Sequence, residues 1–308
     1  MNRAAWGTPF CVLLAVFLSG WQCWLTDNPA DNGGGGHDSR SCDEIGYSSG
    51  LERIGVMRST DGGATWTRLG HACFHRPDLL PVDPSPIEDD GRIVLYFLDL
   101  NTLSGPPTGS KIIYRADSED GLDFTEPTIA FSTTQAQITD PCVIRTPEGR
   151  YRMYISTGAS TLSAISDDGR SFTEEQGMRS TVGGVPGALN LPDDSVRLFV
   201  CGDGIISLTS GNGLDFAQDA GARLSSDDGS ILCDPHPIPL STGGYLMTFK
   251  SRPPGEMGPQ SDRTYLATSD DAMTWIPGIS PVTTGSVPAI VQRTDGTLLI
   301  YYVDFNAP

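Results

Sequence analysis

Past residue 50 the sequence has almost no helical periodicity: no stretch sustains apolar residues at spacings of three and four. That excludes a helical bundle and every architecture built on strand–helix–strand units. Charge is scarce, at 19% of residues, and it is one-sided, with 20 Lys and Arg against 38 Asp and Glu. A net charge of −18 with no basic stripe excludes nucleic acid and anionic membrane surfaces as partners. No Cys-x-x-Cys pair, phosphate loop or Ser-His-Asp arrangement is present, so no zinc site or nucleophilic triad is expected. Apolar runs long enough to span a bilayer are missing as well. The longest, Cys11 to Leu18 after Arg3, has the length of a secretory h-region.

What is abundant is turn material, with 36 Gly and 23 Pro among 308 residues. Residues 1–23 read as a signal peptide and 24–50, with the run Gly33 to Gly36, as a flexible linker. Trp21-Gln22 before Cys23 lacks the small residues of a lipid-attachment site, so a cleaved signal is expected rather than a lipid anchor. The destination is secretion or the periplasm, with no membrane insertion once the signal is removed. Five cysteines follow the signal, an odd number, and an exported chain permits disulfides whose pairing spacing alone leaves open.

Residues 51–308 carry two patterns, each five times over. The first is Pro-x-x-aliphatic, a turn, then an alternating apolar strand. It begins at Asp83-Pro84, Asp140-Pro141, Val185-Pro186, Asp234-Pro235 and Val287-Pro288. Each copy reads as a hairpin. The second is Ser-x-Asp-Gly before an aromatic, at Ser59–Trp66, Ser118–Phe124, Ser166–Phe172, Ser210–Phe216 and, with Ala for Gly, Ser269–Trp275. The first copy matches the Asp-box of sialidase-like repeats. Asp61, Asp120, Asp168 and Asp271 in these turns carry fold rather than chemistry, and the aromatic is expected to anchor its own outer hairpin. A unit of four strands every 45 to 60 residues is the signature of propeller blades. The expected fold is all-β, a five-bladed β-propeller. The chain opens with an outer hairpin and closes with an inner one, so the N-terminal outer strands should pair with the C-terminal inner strands and close the ring.

Propeller geometry puts the residue before each of the five prolines at the mouth of the central channel. Asp83, Asp140 and Asp234 therefore converge, and like charges at that range must push up at least one pKa. Such a set suits acid–base catalysis, a hard cation such as a structural Ca²⁺, or strand capping. Around it lie His236, Arg252, Glu256 and Arg263 of the fourth unit and His75, with His71 and Arg76, on the approach to the first. Lys250, Arg252 and Arg263 either neutralise the carboxylates, grip an anionic sugar or stand as solvated loop charges.

Asp-Pro-x-x-Ile, a Gly turn and a Tyr-rich strand, followed by Ser-x-Asp-Gly-x-x-Phe, resembles the five-bladed propeller glycosidases of the family 43, 32 and 117 type. The resemblance covers about residues 51–308. It implies a carbohydrate substrate; no cofactor is expected to be required, and a monomer is expected. It also implies Asp83 as general base and Asp140 as the carboxylate that tunes the acid. The acid of inverting members is a Glu near the start of blade three, where this chain has Gly183-Gly184-Val185-Pro186-Gly187. Asp234, His236 and Glu256 are then the candidate proton donors. Two functions stay open: hydrolysis of glycosidic bonds, and a non-catalytic propeller that binds carbohydrate or protein. A sialidase fits less well, because Arg53-Ile54 is followed by Gly55 where that family has Pro.

Overall fold

A computed structural model describes residues 53–103, 110–135 and 137–305. The signal and linker assigned to residues 1–50 lie outside the described residues. The rest is five antiparallel sheets. Blade one is β3 (Pro81–Asp89), β4 (Arg92–Asp99), β5 (Lys111–Ser118) and β6 (Thr128–Thr133), with one helical turn, Leu100–Leu103, after β4. Blade two is β7 (Thr139–Arg145), β8 (Tyr151–Ser156), β9 (Thr161–Ser166) and β10 (Thr173–Ser180). Blade three is β11 (Gly184–Asn190), β12 (Val196–Gly202), β13 (Gly204–Ser210) and β14 (Ala217–Leu224). Blade four is β15 (Ile231–Pro239), β16 (Tyr245–Arg252) and β17 (Arg263–Ser269), with an outer edge broken into β18 (Ile276–Pro277) and β19 (Thr283–Thr284).

The fifth blade is made from both ends of the chain. Its outer strands are β1 (Arg53–Ser59) and β2 (Thr67–His71), its inner ones β20 (Ser286–Gln292) and β21 (Leu298–Asp304). β1 pairs with β21 over seven residues, from Arg53 opposite Asp304 to Ser59 opposite Leu298. The innermost strands β3, β7, β11, β15 and β20 then contact one another in a closed circuit. Closure removes the exposed sheet edges that an open array would leave.

The five Ser-x-Asp turns share one hydrogen-bond scheme. The Ser hydroxyl donates to the carboxylate or amide oxygen two residues on, as in Ser59 to Asp61 (2.8 Å), Ser166 to Asp168 (3.0 Å) and Ser210 to Asn212 (2.9 Å). Their aromatic residues do something other than expected. Four of the five pack edge-on against an aromatic of the neighbouring blade, and Trp66 packs against the cluster that holds Met57, Leu246 and Leu298. Phe172 meets Tyr96, Phe216 meets Tyr154 and Trp275 meets Phe199, with centroids 5.7, 5.9 and 5.7 Å apart. The tyrosines also donate into the same turns, Tyr96 to the Gly169 carbonyl and Tyr154 to that of Gly213. The turns are therefore the mortar between blades.

Candidate active site

Each innermost strand breaks its ladder at the X-Pro dipeptide. The register shifts fall between Val82 and Ser85, Thr139 and Cys142, Gly184 and Gly187, Cys233 and His236, and Ser286 and Ala289. A bulge leaves two residues out of the pairing, so the missing proline N–H breaks no bond. The residue before each proline is left-handed: Asp83, Asp140 and Asp234 at φ 54°, 49° and 54°, Val185 and Val287 at 55° and 49°. Aspartate tolerates that region, whereas a β-branched residue is strained there by roughly 1–3 kcal/mol. The fivefold backbone thus fixes where the side chains go, and the sequence chooses between carboxylate and isopropyl.

The carboxylates hold the next blade. Asp83 Oδ2 accepts the Asp140 N–H (3.1 Å), and Asp234 Oδ2 accepts the Val287 N–H (3.1 Å). A second ring lies two residues further along each strand. Ser85 Oγ accepts the Val143 N–H (3.0 Å), Cys142 Sγ that of Ala188 (3.2 Å) and His236 Nδ1 that of Ile290 (3.3 Å). At the equivalent Gly187 no side chain fits, because a Cβ would stand 2.0 Å from the Pro235 carbonyl oxygen.

Asp83, Asp140, Asp234, Val185, Val287, the five prolines and His236 surround an axial cavity of about 20 Å³. That is space for one water-sized group. The loops around the mouth are uneven: β16 and β17 are joined by residues 253–262, β12 and β13 by Asp203 alone. The mouth is walled at blade four and low at blade three.

Only one of the three carboxylates has a cation. Lys250 stands on β16 opposite Cys233, and its Nζ lies 2.9 Å from Asp234 and 3.8 Å from Asp262. Asp262, 1% exposed, takes a two-point grip from Arg252 (2.6 and 3.0 Å) and a bond from the Ser286 hydroxyl (2.6 Å). Burial works against the Lys250 charge, but Asp234 and Asp262 outweigh it and the ammonium is held above its usual range. Asp83 and Asp140 have no such partner. Burial, with the Asp234 charge adding to it, pushes Asp83 up to about 6. Burial and the charges of Asp83 and Asp234 raise Asp140 well above the carboxylate range. His236 goes the other way, to about 4, because burial disfavours its charged form.

The Asp83 shift makes stability depend on pH. Its folded pKa of about 6 exceeds the ordinary 3.8. Its stability is therefore fully present below about 4 and is lost as pH rises through about 6. The loss is on the order of 3 kcal/mol. Asp83→Asn should flatten that part of the curve in thermal melts between pH 4 and 7. A parallel fall in both proteins would show that Asp83 does not carry it.

The structure brings together Asp83, Asp140, Asp234 and His236 around the axis. The other site residues expected from the sequence are held elsewhere. Arg252 is bound to Asp262, and Arg263 faces Glu256 at 3.4 Å in the blade-four loop. His75 bonds Asp123 of a blade-one turn at 2.6 Å and does not line the cavity. Lys250 is no solvated loop charge: it is buried within the ion network. Asp262 was not anticipated, since an aspartate in a Pro- and Gly-rich loop carries no signal of burial. A disulfide, Cys201–Cys233, staples blade three to blade four beside Asp234. Cys73 is also disulfide-bonded, and Cys142 is a free, buried thiol.

No protein-family model and no curated protein matches this sequence. Solved structures do. A putative glycoside hydrolase from Parabacteroides distasonis superposes with a TM-score of 0.56 at 17% identity, over 82% of this chain and 97% of that one. This chain has the fold of glycoside-hydrolase propellers. An endo-arabinase from Bacteroides thetaiotaomicron gives a TM-score of 0.54 at 15% identity, over 74% of this chain and 91% of its own. A thermostable family-43 glycoside hydrolase gives 0.55 at 14%, over 74% and 86%. The blade-three opening departs from the pattern that the sequence resemblance implied. A Cβ on Gly184 would stand 1.9 Å from the Gly158 carbonyl oxygen, so the fold has no space there for a glutamate.

Proposed function

We propose that this chain is an exported glycosidase-like protein that cleaves glycosidic bonds of an oligo- or polysaccharide at the mouth carboxylates. The observation that carries the reading is the adjacent pair with separated roles. Burial brings Asp83 up to about 6, while burial and the charges of Asp83 and Asp234 hold Asp140 well above the ordinary carboxylate range. Inverting hydrolysis needs that division of labour. Asp83 takes a proton from water as the water oxygen bonds the anomeric carbon. Asp140 gives its proton to the leaving oxygen as the old bond breaks. Asp140 thereby replaces the missing blade-three glutamate as donor, while Asp234 is engaged by Lys250 at 2.9 Å. No step is assigned to a metal. The apolar N-terminal segment and the disulfides suit an oxidising compartment outside the cytoplasm.

The test is sugar release from a broad panel of oligosaccharides and aryl glycosides. Asp140→Asn should lower kcat by roughly 10²- to 10⁴-fold, the span of a general acid. Activity should rise with pH through about 6 as Asp83 ionises, and fall again as Asp140 loses its proton. A second reading, a propeller that binds sugar or protein without cutting, is favoured by the occluded Gly184 and the small cavity. Binding on a glycan array with no release from any substrate would select it.

A further inference from the structure

The residues two places after the mouth positions form a ring of their own: Ser85, Cys142, Gly187, His236 and Ala289. Three of them accept a backbone N–H from the next blade. Ser85 joins blade one to blade two through Val143, Cys142 joins two to three through Ala188, and His236 joins four to five through Ile290. Acid leaves the first two acceptors as they are. A hydroxyl oxygen stays an acceptor, and the Cys142 thiol is already protonated, pushed up to about 12 by burial. An imidazole differs. Nδ1 accepts from Ile290 only while it carries no proton, so the neutral ring bears its proton on Nε2. A second proton has to go to Nδ1, where it turns the acceptor into a donor facing the Ile290 N–H.

The surroundings offer that second proton no support. His236 is 8% exposed, and its Nε2 is buried with no hydrogen-bond partner in the protein. The strands packed on β15 are β11, β12, β13, β16 and β20. β11, β13 and β20 carry no charged residue. β12 brings Arg197, which Asp219 holds. β16 brings Tyr245, with Lys250 held by Asp234 and Arg252 by Asp262. On its own strand stands Asp234, engaged by Lys250 and the Val287 N–H, and Asp83 and Asp140 come from the other blades at the axis. Besides the Ile290 bond and Asp234 with Val287, the seam has the Thr248 hydroxyl donating to the Pro288 carbonyl at 3.2 Å.

We propose that His236 is an acid-sensitive latch between blades four and five: a proton on its Nδ1 breaks the bond to Ile290 and opens the seam between β15 and β20, while the seams held by Ser85 and Cys142 stay closed. The latch stands whether or not the mouth cuts sugars. Burial lowers the ring from its ordinary 6.5 to about 4. A folded pKa below the unfolded one gives stability that is fully present above about 6.5 and is lost as pH falls through about 4. Asp83 runs the other way over the same window, losing stability as pH rises through about 6. A global melt sums these two opposing trends, so the latch has to be read at the seam itself.

Amide hydrogen exchange of the full chain, followed by NMR from pH 7 to pH 4 and expressed as protection factors, reads it. Ile290 should lose protection by roughly 10²-fold at pH 4, the consequence of a shift from 6.5 to about 4, with Val143 and Ala188 unchanged. His236→Asn keeps an acceptor in place of Nδ1 and takes up no proton in this range, so its Ile290 protection should stay level. An equal loss at all three amides would mean that acid unfolds the whole propeller, and it would overturn the latch. The same loss at Ile290 in His236→Asn would overturn it too. If that variant does not fold, ¹⁵N spectra of the wild-type histidine side chains decide. A bare Nδ1 and a protonated Nε2 are expected at pH 7, with the ring titrating well below 6.5 and in step with Ile290 exchange. A proton on Nδ1 at pH 7, or titration without faster exchange at Ile290, would sink the proposal.

Discussion

Replacing Lys250 by methionine should destabilise the fold by about 3–5 kcal/mol, the range for breaking a buried ion pair from one side. The side chain of Lys250 is 9% exposed, that of Asp234 5% and that of Asp262 fully buried. Asp262 keeps Arg252 and Ser286 when the ammonium is gone, but Asp234 keeps only the Val287 N–H. The lost energy is mostly the cost of an unpaired Asp234 carboxylate. For a domain of this size each kcal/mol lowers the melting temperature by roughly 2–4 °C. Thermal and urea unfolding would read the effect, and adding Asp234→Asn should restore part of it. A change below about 1 kcal/mol would mean that the pair is not a net contributor, as at exposed sites. There is a second readout in catalysis. Lys250 lowers the pKa of both Asp83 and Asp140, so its removal should move the rising limb of the pH profile upward.

The next largest effect is expected from the disulfide. Cys201 and Cys233 are 32 residues apart, and opening that loop in the unfolded chain should cost about 3–4 kcal/mol by chain entropy. The Cys201→Ser, Cys233→Ser double variant melted beside the wild type gives the number. The damage should be local as well as global. Cys233 precedes Asp234, whose N–H reaches Cys201 Sγ at 3.3 Å. Hydrogen exchange should therefore speed up first in β11 and β15. Equal melting of the double variant and the wild type would show that the seam between blades three and four is held by packing alone. Gly187, lying against Pro235, makes that packing close.

Much of the architecture was legible because it repeats. Five X-Pro bulges and five Ser-x-Asp turns announce five blades, and two incomplete hairpins announce how the ring shuts. The mouth aspartates were legible for the same reason: a repeat unit puts equivalent residues at equivalent places around an axis. The turn aromatics were legible in the sequence, but the residues they meet were not. Tyr96, Tyr154 and Phe199 belong to the second strand of one blade and meet the turn of the next. A pattern read within one unit does not show which neighbour it touches.

The charges were the least legible part. In sequence Lys250, Arg252 and Arg263 look alike, solvated loop charges before carboxylate partners or a grip on an anionic sugar, and burial separates them: Lys250 and Arg252 close on Asp262, while Arg263 meets Glu256. The same holds for His236, whose role follows from which nitrogen meets Ile290. Local sequence by itself determined the strand pattern, the blade count and the three acidic positions, because turn chemistry and side-chain alternation act over a few residues. Only the tertiary structure decided which carboxylate meets a lysine, which are pushed upward by burial and where a glutamate has no room. Those outcomes depend on desolvation and on contacts between strands and loops from 12 to more than 50 positions apart, from Lys250 with Asp262 to Asp83 with Asp140.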